Sequence, residues 1–590
     1  MNVYTVTIAV SIIVYIAIGG YAGRGIKRLD DYYVAGRQAP TLLIVGTLVA
    51  SLLSTGVFMG DAAFVYAGQL GAYVLLPGSL CAGYVLGAIL FGRYLRRSRA
   101  TTVAEFLGKR FASRRLQALA GYTIIFGLGV YLLTVTQGAG ILLSELSALS
   151  YWQAMIVAWL SYSAFTMYSG SRGVVLTDTL MFLLFLVASI AATVFVLDYF
   201  GGPAATVEQL VALEEKRGLL SWHGIIGPGT TWPTATDFLI WFLAIELGWM
   251  LVYAASPWQA SRHLMARNEH VVLRSALIAG FIALFLMIVI YVMAGAINLA
   301  NADIHPKDRA VVWAALNLLP PFLGALLLAG ITAAALSSAS TFLSLVGFSA
   351  SNDIGVHKNA DEASALRFSR SMMLATGFVV LVAGMIFPPD IFGLLIFIGT
   401  VFGSTWGPVA IMSIWSKKMT EAAAFWGMLA GALFNIVPSM FVTIGMITLP
   451  SYFHPAFIGT AASLIVIVLV SRHTHVTEAE AAYRAKLHEI PPEEIDTGKT
   501  RTTLWAAAML IVITGIIQPW LLIAYYVRPL QAATGTLLPD GSFNWFTGEA
   551  LAVLTCCVVY PSIGLIAAWV IRRDYSPKKV NQALSSLPEA

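Results

Sequence analysis

Hydroxyl side chains cluster at the centre of one apolar segment, 327–353, which is long enough to cross a bilayer. Ser337, Ser338, Ser340 and Thr341 lie within five residues of one another. On a helix, positions i, i+3, i+4 and i+7 share one face, so Ala334, Ser337, Ser338 and Thr341 form one stripe. A single hydroxyl in a membrane helix usually bonds to a carbonyl of its own helix or to a neighbour. Four together favour a site for a hard cation such as Na⁺, because clustered neutral oxygens can replace its water shell.

Three carboxylates stand inside other apolar segments. Burying a charged side chain in a membrane costs several kcal/mol, so each one is a functional hypothesis. Asp178 lies two turns into its predicted helix, where it could also be a structural acceptor for a hydroxyl or an arginine. Asp61 lies late in the second helix and Glu246 lies in the outer half of the 236–261 helix. Both could either contact a solute directly or border water in an outer vestibule.

Two of the predicted helices are interrupted. Ser54-Thr55-Gly56 breaks one apolar run, and Gly weakens a helix locally. Ala254-Ala255-Ser256-Pro257 breaks another, because Pro257 removes a backbone donor. Either interruption alone would be explained by a plain kink. Paired interruptions in two halves of a chain indicate a substrate site near the middle of the membrane.

The composition is that of a membrane protein. Hydrophobic residues make up 58% of the chain, charged residues only 11%, and the mean hydropathy is +0.80. Soluble domains carry about a quarter charged residues. The net charge of +5 comes from basic residues at helix ends, so it does not indicate nucleic-acid binding. The three cysteines lie in apolar runs without a disulfide or metal motif. No nucleophile–base or metal-ligand constellation predicts an enzyme.

These apolar runs predict an all-α polytopic protein with about fifteen transmembrane helices. Basic residues after the first helix and at the end of the last predict an outer N-terminus and an inner C-terminus. The polar segment 472–503 is predicted to be a cytoplasmic linker with a short amphipathic helix. The expected spans are about 3–22, 40–66, 70–92, 117–145, 151–169, 173–198, 236–261, 272–298, 327–353, 369–387, 390–415, 421–447, 455–471, 504–527 and 549–571.

Several short motifs resemble those of one transporter family, the sodium:solute symporters, which have the LeuT-type fold. DDYYVAGR and TTVAEFLGKRF resemble the first and second cytoplasmic loops of the family. GSRGVVLTD resembles its Gly-rich approach to a Thr-Asp pair, and AAALSSAST followed by Asn352-Asp353 resembles its sodium helix. SPWQASRHLMA has the Pro, and the Arg five residues on, of proline-type members. The resemblance covers roughly 1–470 and is nearest to proline- and pantothenate-type members.

The resemblance implies two inverted five-helix repeats. It also implies flanking elements beyond the thirteen-helix core of the family, since two further helices follow the linker. The expected division is an N-terminal extra helix and basic loop (1–39), a first inverted repeat (40–198), a second inverted repeat (236–415), additional helices (416–471), the cytoplasmic linker (472–503), and C-terminal extra helices with a tail (504–590).

The resemblance also assigns sodium ligands residue by residue. At the conserved sodium site, backbone carbonyls would come from Ala50, Leu53 and Ala334. Hydroxyls at the same site would come from Ser337 and Ser338. Some members of the family have a second sodium site. There the ligands would be Asp178, Ser337, Ser340 and Thr341.

The solute is expected at the two interruptions. The candidate solute-binding residues are Ser54, Thr55, Gly56, Val57, Gln137, Ser256 and Pro257. Gly56 and Val57 replace the polar pair of sugar-type members, which argues against a sugar. Met181 stands where the family often has Gln.

The predicted function is therefore sodium-coupled symport of a small organic solute, such as an amino acid or a monocarboxylate, across the cytoplasmic membrane of the cell. The predicted cofactor is Na⁺, and the predicted partners are the solute and the lipid bilayer. Two alternatives stay open. One is proton coupling, with Asp178 or Asp61 titrating, and the other is a solute sensor on the transporter fold. The short C-terminal linker contains no kinase or receiver-like domain, which weighs against the sensor. The oligomeric state is not predicted.

Overall fold

The computed structural model describes residues 3–23, 33–76, 79–355 and 362–575. Over these residues the chain is helical, and its β-structure is an isolated bridge between Ala39 and Ala266. Shorter helices occupy the loops at Val103–Arg110, Pro203–Val211 and Ala310–Asn317. The long helices are α1 (Val3–Gly23), α2 (Thr41–Leu52), α3 (Gly56–Leu75), α4 (80–98), α5 (Arg114–Leu146), α6 (Tyr151–Tyr199), α7 (Ala235–Ala255), α8 (Pro257–Met265), α9 (Glu269–Ala296), α10 (Pro321–Phe348), α11 (Glu362–Ile386), α12 (Ile391–Trp415), α13 (Glu421–Thr443), α14 (Pro455–His473), α15 (Glu478–His488), α16 (Thr497–Thr534) and α17 (Gly548–Asp574).

Fewer than the fifteen expected helices are both long enough and apolar enough to cross a membrane. Within the described ranges, twelve are long and apolar enough to cross a membrane, or thirteen when the bent pair α2 and α3 counts as one span. Of the two other expected spans, 70–92 covers the end of α3 and much of α4, and α4 has three arginines near its end. The second is the first part of α6, whose 49 residues form one continuous helix.

The hydroxyl-rich helix α10 lies at the centre of the bundle. It packs against α1, α2, α5 and α6, and its side chains are buried from Leu327 through Ser344. Gly330 lets α10 approach α6 closely, because a Cβ there would lie 3.2 Å from the Cα of Phe185. The hydroxyl cluster therefore faces protein and not lipid.

Glycines also set the positions of the two interrupted helices. A Cβ at Gly46 of α2 would lie 2.8 Å from the Cα of Thr179 in α6. A Cβ at Gly87 of α4 would lie 2.4 Å from the Cα of Ala254, just before the second interruption. Small residues of this kind allow helix backbones to meet in a membrane. Both breaks are thus held against neighbouring helices at positions where no larger side chain fits.

The predicted linker 472–503 is folded onto the C-terminal ends of α4 and α12. Its helix α15 supplies the Glu480 carbonyl, which accepts a hydrogen bond from Arg110 Nη1 at 2.9 Å. Arg110 Nε donates to the carbonyl of Ser413 at 2.7 Å, and Arg97 Nη1 donates to that of Leu487 at 2.8 Å. Burial lowers the pKa of Arg110 to about 10, although Glu480 raises it, so the guanidinium stays charged at neutral pH. The amphipathic helix is therefore docked on its own chain.

The helix α17 is attached to the bundle by buried charges. Asp574 at the end of α17 pairs with Arg93 of α4, with 2.6 Å between Oδ2 and Nη1. The next residue, Tyr575, donates its hydroxyl to Glu269 Oε2 at 2.5 Å. Breaking such a pair leaves a buried charge without its partner, so these contacts fix α17 against α4 and α9.

Candidate functional site

The first predicted break separates α2 from α3, and the two parts are bent by 48°. Here the backbone leaves the regular helical ladder. Ser54 N–H donates to the Leu52 carbonyl at 2.9 Å and not to Ala50, four residues back. Val57 N–H donates to the Ser54 carbonyl at 3.1 Å and not to Leu53. The carbonyls of Ala50 and Leu53 therefore lose the donors that a continuous helix would supply.

The second predicted break lies between α7 and α8. Ser256 has an extended backbone, with φ −64° and ψ 146°, and Pro257 begins a separate helix. Since Pro257 has no N–H, the Tyr253 carbonyl has no donor four residues on. The Ser256 hydroxyl is buried and has no hydrogen-bond partner among the described residues.

The hydroxyls of α10 have different surroundings. Ser337 Oγ donates to Asp178 Oδ1 at 2.7 Å, which joins α10 to α6. Ser340 Oγ donates to the carbonyl of Ser337 at 2.9 Å. Thr341 Oγ1 accepts from Arg262 Nη2 at 2.6 Å. Ser338 Oγ is fully buried and has no hydrogen-bond partner within the described ranges.

Asp178 is the centre of a buried polar cluster. Besides Ser337, its Oδ2 accepts a hydrogen bond from Thr47 Oγ1 at 2.6 Å. Arg262 Nη2 lies 3.9 Å from the same oxygen. Four helices therefore meet here, because Thr47 belongs to α2, Asp178 to α6, Arg262 to α8 and Ser337 to α10. The cluster contains one carboxylate, one arginine and the hydroxyls of Thr47, Ser337 and Thr341. A bound cation can take the place of the arginine or of a hydroxyl hydrogen beside the carboxylate.

Thr47 and Arg262 are the members of this cluster that the sequence did not predict to be site residues. Thr47 stands three residues before Ala50, so one turn of helix separates it from a predicted ligand. Arg262 entered the sequence analysis only as the Arg of the SPWQASRHLMA motif, and it is 2% exposed. The signal that could have found Arg262 is its place five residues after Pro257 within a buried amphipathic helix.

The predicted solute residues are mostly engaged within the protein. Thr55 Oγ1 lies 3.5 Å from the carbonyl of Val135. The Gln137 amide donates to the carbonyls of Phe387 and Pro388 at 3.3 and 3.4 Å. The cavity described next is lined by Val57 and by none of the other six predicted solute residues.

A cavity extends from the first break toward Asp61 and Glu246. Its walls come from α2, α3, α4, α5, α7, α9 and α12, and aromatic and aliphatic side chains dominate them. The lining residues are Leu52, Val57, Asp61, Tyr73, Leu76, Leu80, Tyr131, Phe242, Ile245, Glu246, Trp249, Tyr253, Leu284, Met287, Tyr291, Leu395 and Ile396. Apolar walls with a few convergent polar groups are typical of a small-molecule site.

Residues 32–431 match the model of the sodium:solute symporter family. The chain belongs to this family. The symporter is 24% identical over 522 residues to the sodium/proline symporter of Escherichia coli (strain K12), covering 83% of this chain and 98% of that relative. It is 24% identical over 459 residues to the sodium/pantothenate symporter of the same organism, covering 75% and 90%.

A solved structure has the same fold. It is the substrate-bound, outward-open state of a Na⁺-coupled sialic acid symporter, with a TM-score of 0.66 at 16% identity. The match covers 80% of this symporter and 98% of that chain. The fold is the LeuT type, as the sequence motifs predicted.

Family membership confirms the main functional prediction. The protein is a multi-pass membrane transporter that couples Na⁺ to a small-molecule solute, and it is not an enzyme. The boundaries of the two inverted repeats, the membrane orientation and the individual ligand residues stay predictions.

Proposed function

We propose that Na⁺ binds between the first break and α10. Its ligands are the carbonyls of Ala50, Leu53 and Ala334 and the hydroxyls of Ser337 and Ser338. The two carbonyls of the break are available because their helical donors are diverted to Leu52 and Ser54. Neutral oxygens suit Na⁺, because they replace its hydration shell without holding it too tightly for release.

The observation that carries this site is the Ser338 hydroxyl. It is fully buried, has no protein partner within the described residues, and belongs to the helix that packs against α2. Leaving a buried hydroxyl unsatisfied costs about 1–3 kcal/mol. A bound Na⁺ would accept the lone pair of this oxygen and remove that cost.

A second Na⁺ would bind at Asp178 with Ser337, Ser340 and Thr341. Arg262 acts as a competitor there, because it lies 3.9 Å from Asp178 and donates to Thr341. For Na⁺ to reach both side chains, the guanidinium must release Thr341. Sodium occupancy at this site therefore depends on the position of α8.

Coupling follows from linkage. Na⁺ bound at the break favours the conformation in which the cavity binds solute, so each ligand raises the affinity for the other. Inward movement of positive charge adds about 2.3 kcal/mol per charge for each 100 mV of membrane potential. This arrangement supports uptake of a small organic solute into the cell across the cytoplasmic membrane.

Sodium binding to the purified protein tests the site directly. We expect saturable binding of ²²Na⁺ that unlabelled Na⁺ displaces and K⁺ does not. Ser338→Ala should weaken this binding roughly tenfold, since each tenfold change corresponds to about 1.4 kcal/mol, within the range of one lost ligand. Ser344→Ala is the matched control, because Ser344 is also buried and without a partner in the described chain, but lies further along α10. Equal binding by the two variants would contradict the site.

A further inference from the structure

We infer that the solute carries a cationic ammonium group, which binds between Asp61 and Glu246 in the aromatic cavity. The inference rests on the proposed function, since it assumes that this cavity receives the transported solute. It narrows the solute class from small organic molecules to organic cations and zwitterions with an exposed ammonium end.

Asp61 lies just beyond the first break, in the wide helical turns Gly56–Asp61. Its side chain lines the cavity but is only 7% exposed. Oδ2 accepts a hydrogen bond from the Tyr291 hydroxyl at 3.0 Å. The tyrosine orients the carboxylate but, being neutral, does not balance its charge.

Glu246 lines the same cavity from α7. Its Oε2 accepts a hydrogen bond from the Ser79 backbone N–H at 2.8 Å, and the Ser79 hydroxyl, which also contacts the Glu246 backbone carbonyl, lies 2.9 Å from the same Oε2. These donors are also neutral. No lysine, arginine or histidine lines the cavity or pairs with either carboxylate among the described residues. The two carboxyl groups therefore lack a protein counterion.

Unpartnered hydroxyls lie beside these carboxylates. Tyr73 and Tyr253 are 8% and 6% exposed, and both line the cavity. Neither hydroxyl makes a hydrogen bond within the described parts of the chain, and neither is wholly enclosed by protein, so both open onto the cavity. Buried tyrosine hydroxyls usually make a hydrogen bond. The two tyrosine hydroxyls would bond to polar groups of a bound ligand, or to water molecules that the ligand displaces.

The aromatic walls select the kind of cation. Tyr73 and Tyr291 meet edge to face with ring centroids 5.1 Å apart, and Trp249 stacks on Tyr253 at 5.5 Å. Ring faces attract weakly hydrated organic cations. An inorganic cation would need several more oxygen ligands, whereas much of the remaining wall consists of Leu, Ile and Met. An ammonium group satisfies the carboxylates and the rings together.

The same cavity disfavours a simple monocarboxylate. A carboxylate solute would enter beside two like charges, without an arginine or lysine in the lining to bind it. An amino acid remains compatible if its ammonium end faces Asp61 and Glu246. A cationic solute also adds its charge to that of Na⁺, so its uptake should depend more steeply on voltage.

Thermal stability of the purified full-length protein in Na⁺ tests the inference with two matched probe pairs. Choline is compared with 3,3-dimethylbutan-1-ol, its neutral carbon analogue, and butylammonium is compared with butan-1-ol. We expect at least one cation to bind roughly tenfold or more tightly than its neutral partner. Asp61→Asn and Glu246→Gln should each remove that difference. Asp198→Asn is the control, since Asp198 is exposed and outside the cavity.

The outcomes separate this inference from the proposed function. The inference would be overturned if the cations stabilise the protein no better than their neutral partners do, or if no probe has any effect. Stabilisation by Ca²⁺ that both variants abolish would also overturn it, because the pair would then be an inorganic cation site. If ²²Na⁺ binding and its loss in Ser338→Ala persist in either case, only the solute class is wrong. Loss of that Na⁺ dependence would instead reject the proposed function.

Discussion

Asp178 accepts bonds from two helices and lies near a guanidinium from a third. Its oxygens take hydroxyl donors from Thr47 and Ser337, while Arg262 lies 3.9 Å from Oδ2. A buried carboxylate needs such donors or a cation to stay charged. In the proposed second sodium site, a bound Na⁺ and the arginine would therefore compete for this carboxylate.

Replacing Asp178 with Asn should separate these roles. Asp178→Asn keeps the shape and removes the charge, so the number of Na⁺ ions moved per solute should fall from about two towards one. Arg262→Gln is the companion variant, because it removes the competing cation and should lower the Na⁺ concentration for half-saturation. Reversal potentials in proteoliposomes measure the stoichiometry. A stoichiometry of one in both wild type and Asp178→Asn would show that Asp178 is not a sodium ligand.

For individual residues, the sequence predicted which side chains matter better than it predicted which side chains contact one another. The hydroxyls of α10 and Asp178 could be chosen because polar groups in apolar segments need partners. Thr47 and Arg262 could not be placed with them, since periodicity defines the faces of one helix but not which helices meet. That information depends on packing among α2, α6, α8 and α10.

Gly46 determines how closely α2 approaches α6. Its hydrogen occupies a place where a Cβ would lie 2.8 Å from the Cα of Thr179, next to Asp178. Thr47, the following residue, makes the 2.6 Å bond to Asp178. The close approach and the hydrogen bond therefore depend on the same contact.

Gly46→Ala should push α2 away from Asp178. We expect a loss of about 1–3 kcal/mol from overpacking and a higher half-saturating Na⁺ concentration, because the Thr47 bond lengthens. Thermal stability measured across a Na⁺ titration reports both effects. Gly129→Ala is the control, since the nearest atom to its added Cβ would be 3.9 Å away. Equal effects of Gly46→Ala and Gly129→Ala on stability and Na⁺ half-saturation would contradict this prediction. They would mean that α2 can shift to accommodate the added Cβ.

Helix breaks were predictable, whereas helix continuity was not. Ser54-Thr55-Gly56 and Pro257 carry local signals, because Gly weakens a helix and Pro lacks a donor. Both breaks are present. The sequence also divided α6 into two spans near residue 170, but the structure has one continuous helix from Tyr151 to Tyr199. Loop composition alone did not distinguish a turn from continued helix.

Across the whole molecule, α17 is connected to the transport core by the buried pair Arg93 and Asp574. Their side chains are 1% and 8% exposed. Because Arg93 belongs to α4, which also packs on the second break through Gly87, the C-terminal addition contacts an element of the transport core. We therefore expect it to contribute to stability.

Asp574→Asn should destabilise the protein by about 3 kcal/mol, since it leaves Arg93 buried without a full counterion. Glu214→Gln provides the control, because its pair with Arg217 is 4.0 Å long and both side chains are more than four-fifths exposed. Thermal unfolding of the detergent-solubilised variants gives the comparison. Equal midpoints would mean that α17 adds little to the stability of the core.

The family fold could be predicted from motifs, because they mark breaks, loops and the sodium helix of the shared core. The attachment of 472–503 and of α17 could not, because it depends on single buried bonds such as those of Arg110 and Arg93. Family motifs end before these segments. The contacts of these segments are seen only in the three-dimensional structure.

Solute uptake into proteoliposomes under separate ion gradients tests sodium coupling most directly. The labelled solute would be the compound that most stabilises the purified protein in Na⁺. An inward Na⁺ gradient should drive accumulation above equilibrium, Ser338→Ala should reduce it, and a proton gradient without Na⁺ should drive none. Accumulation driven by protons alone, or unchanged when K⁺ replaces Na⁺, would contradict sodium coupling through this site.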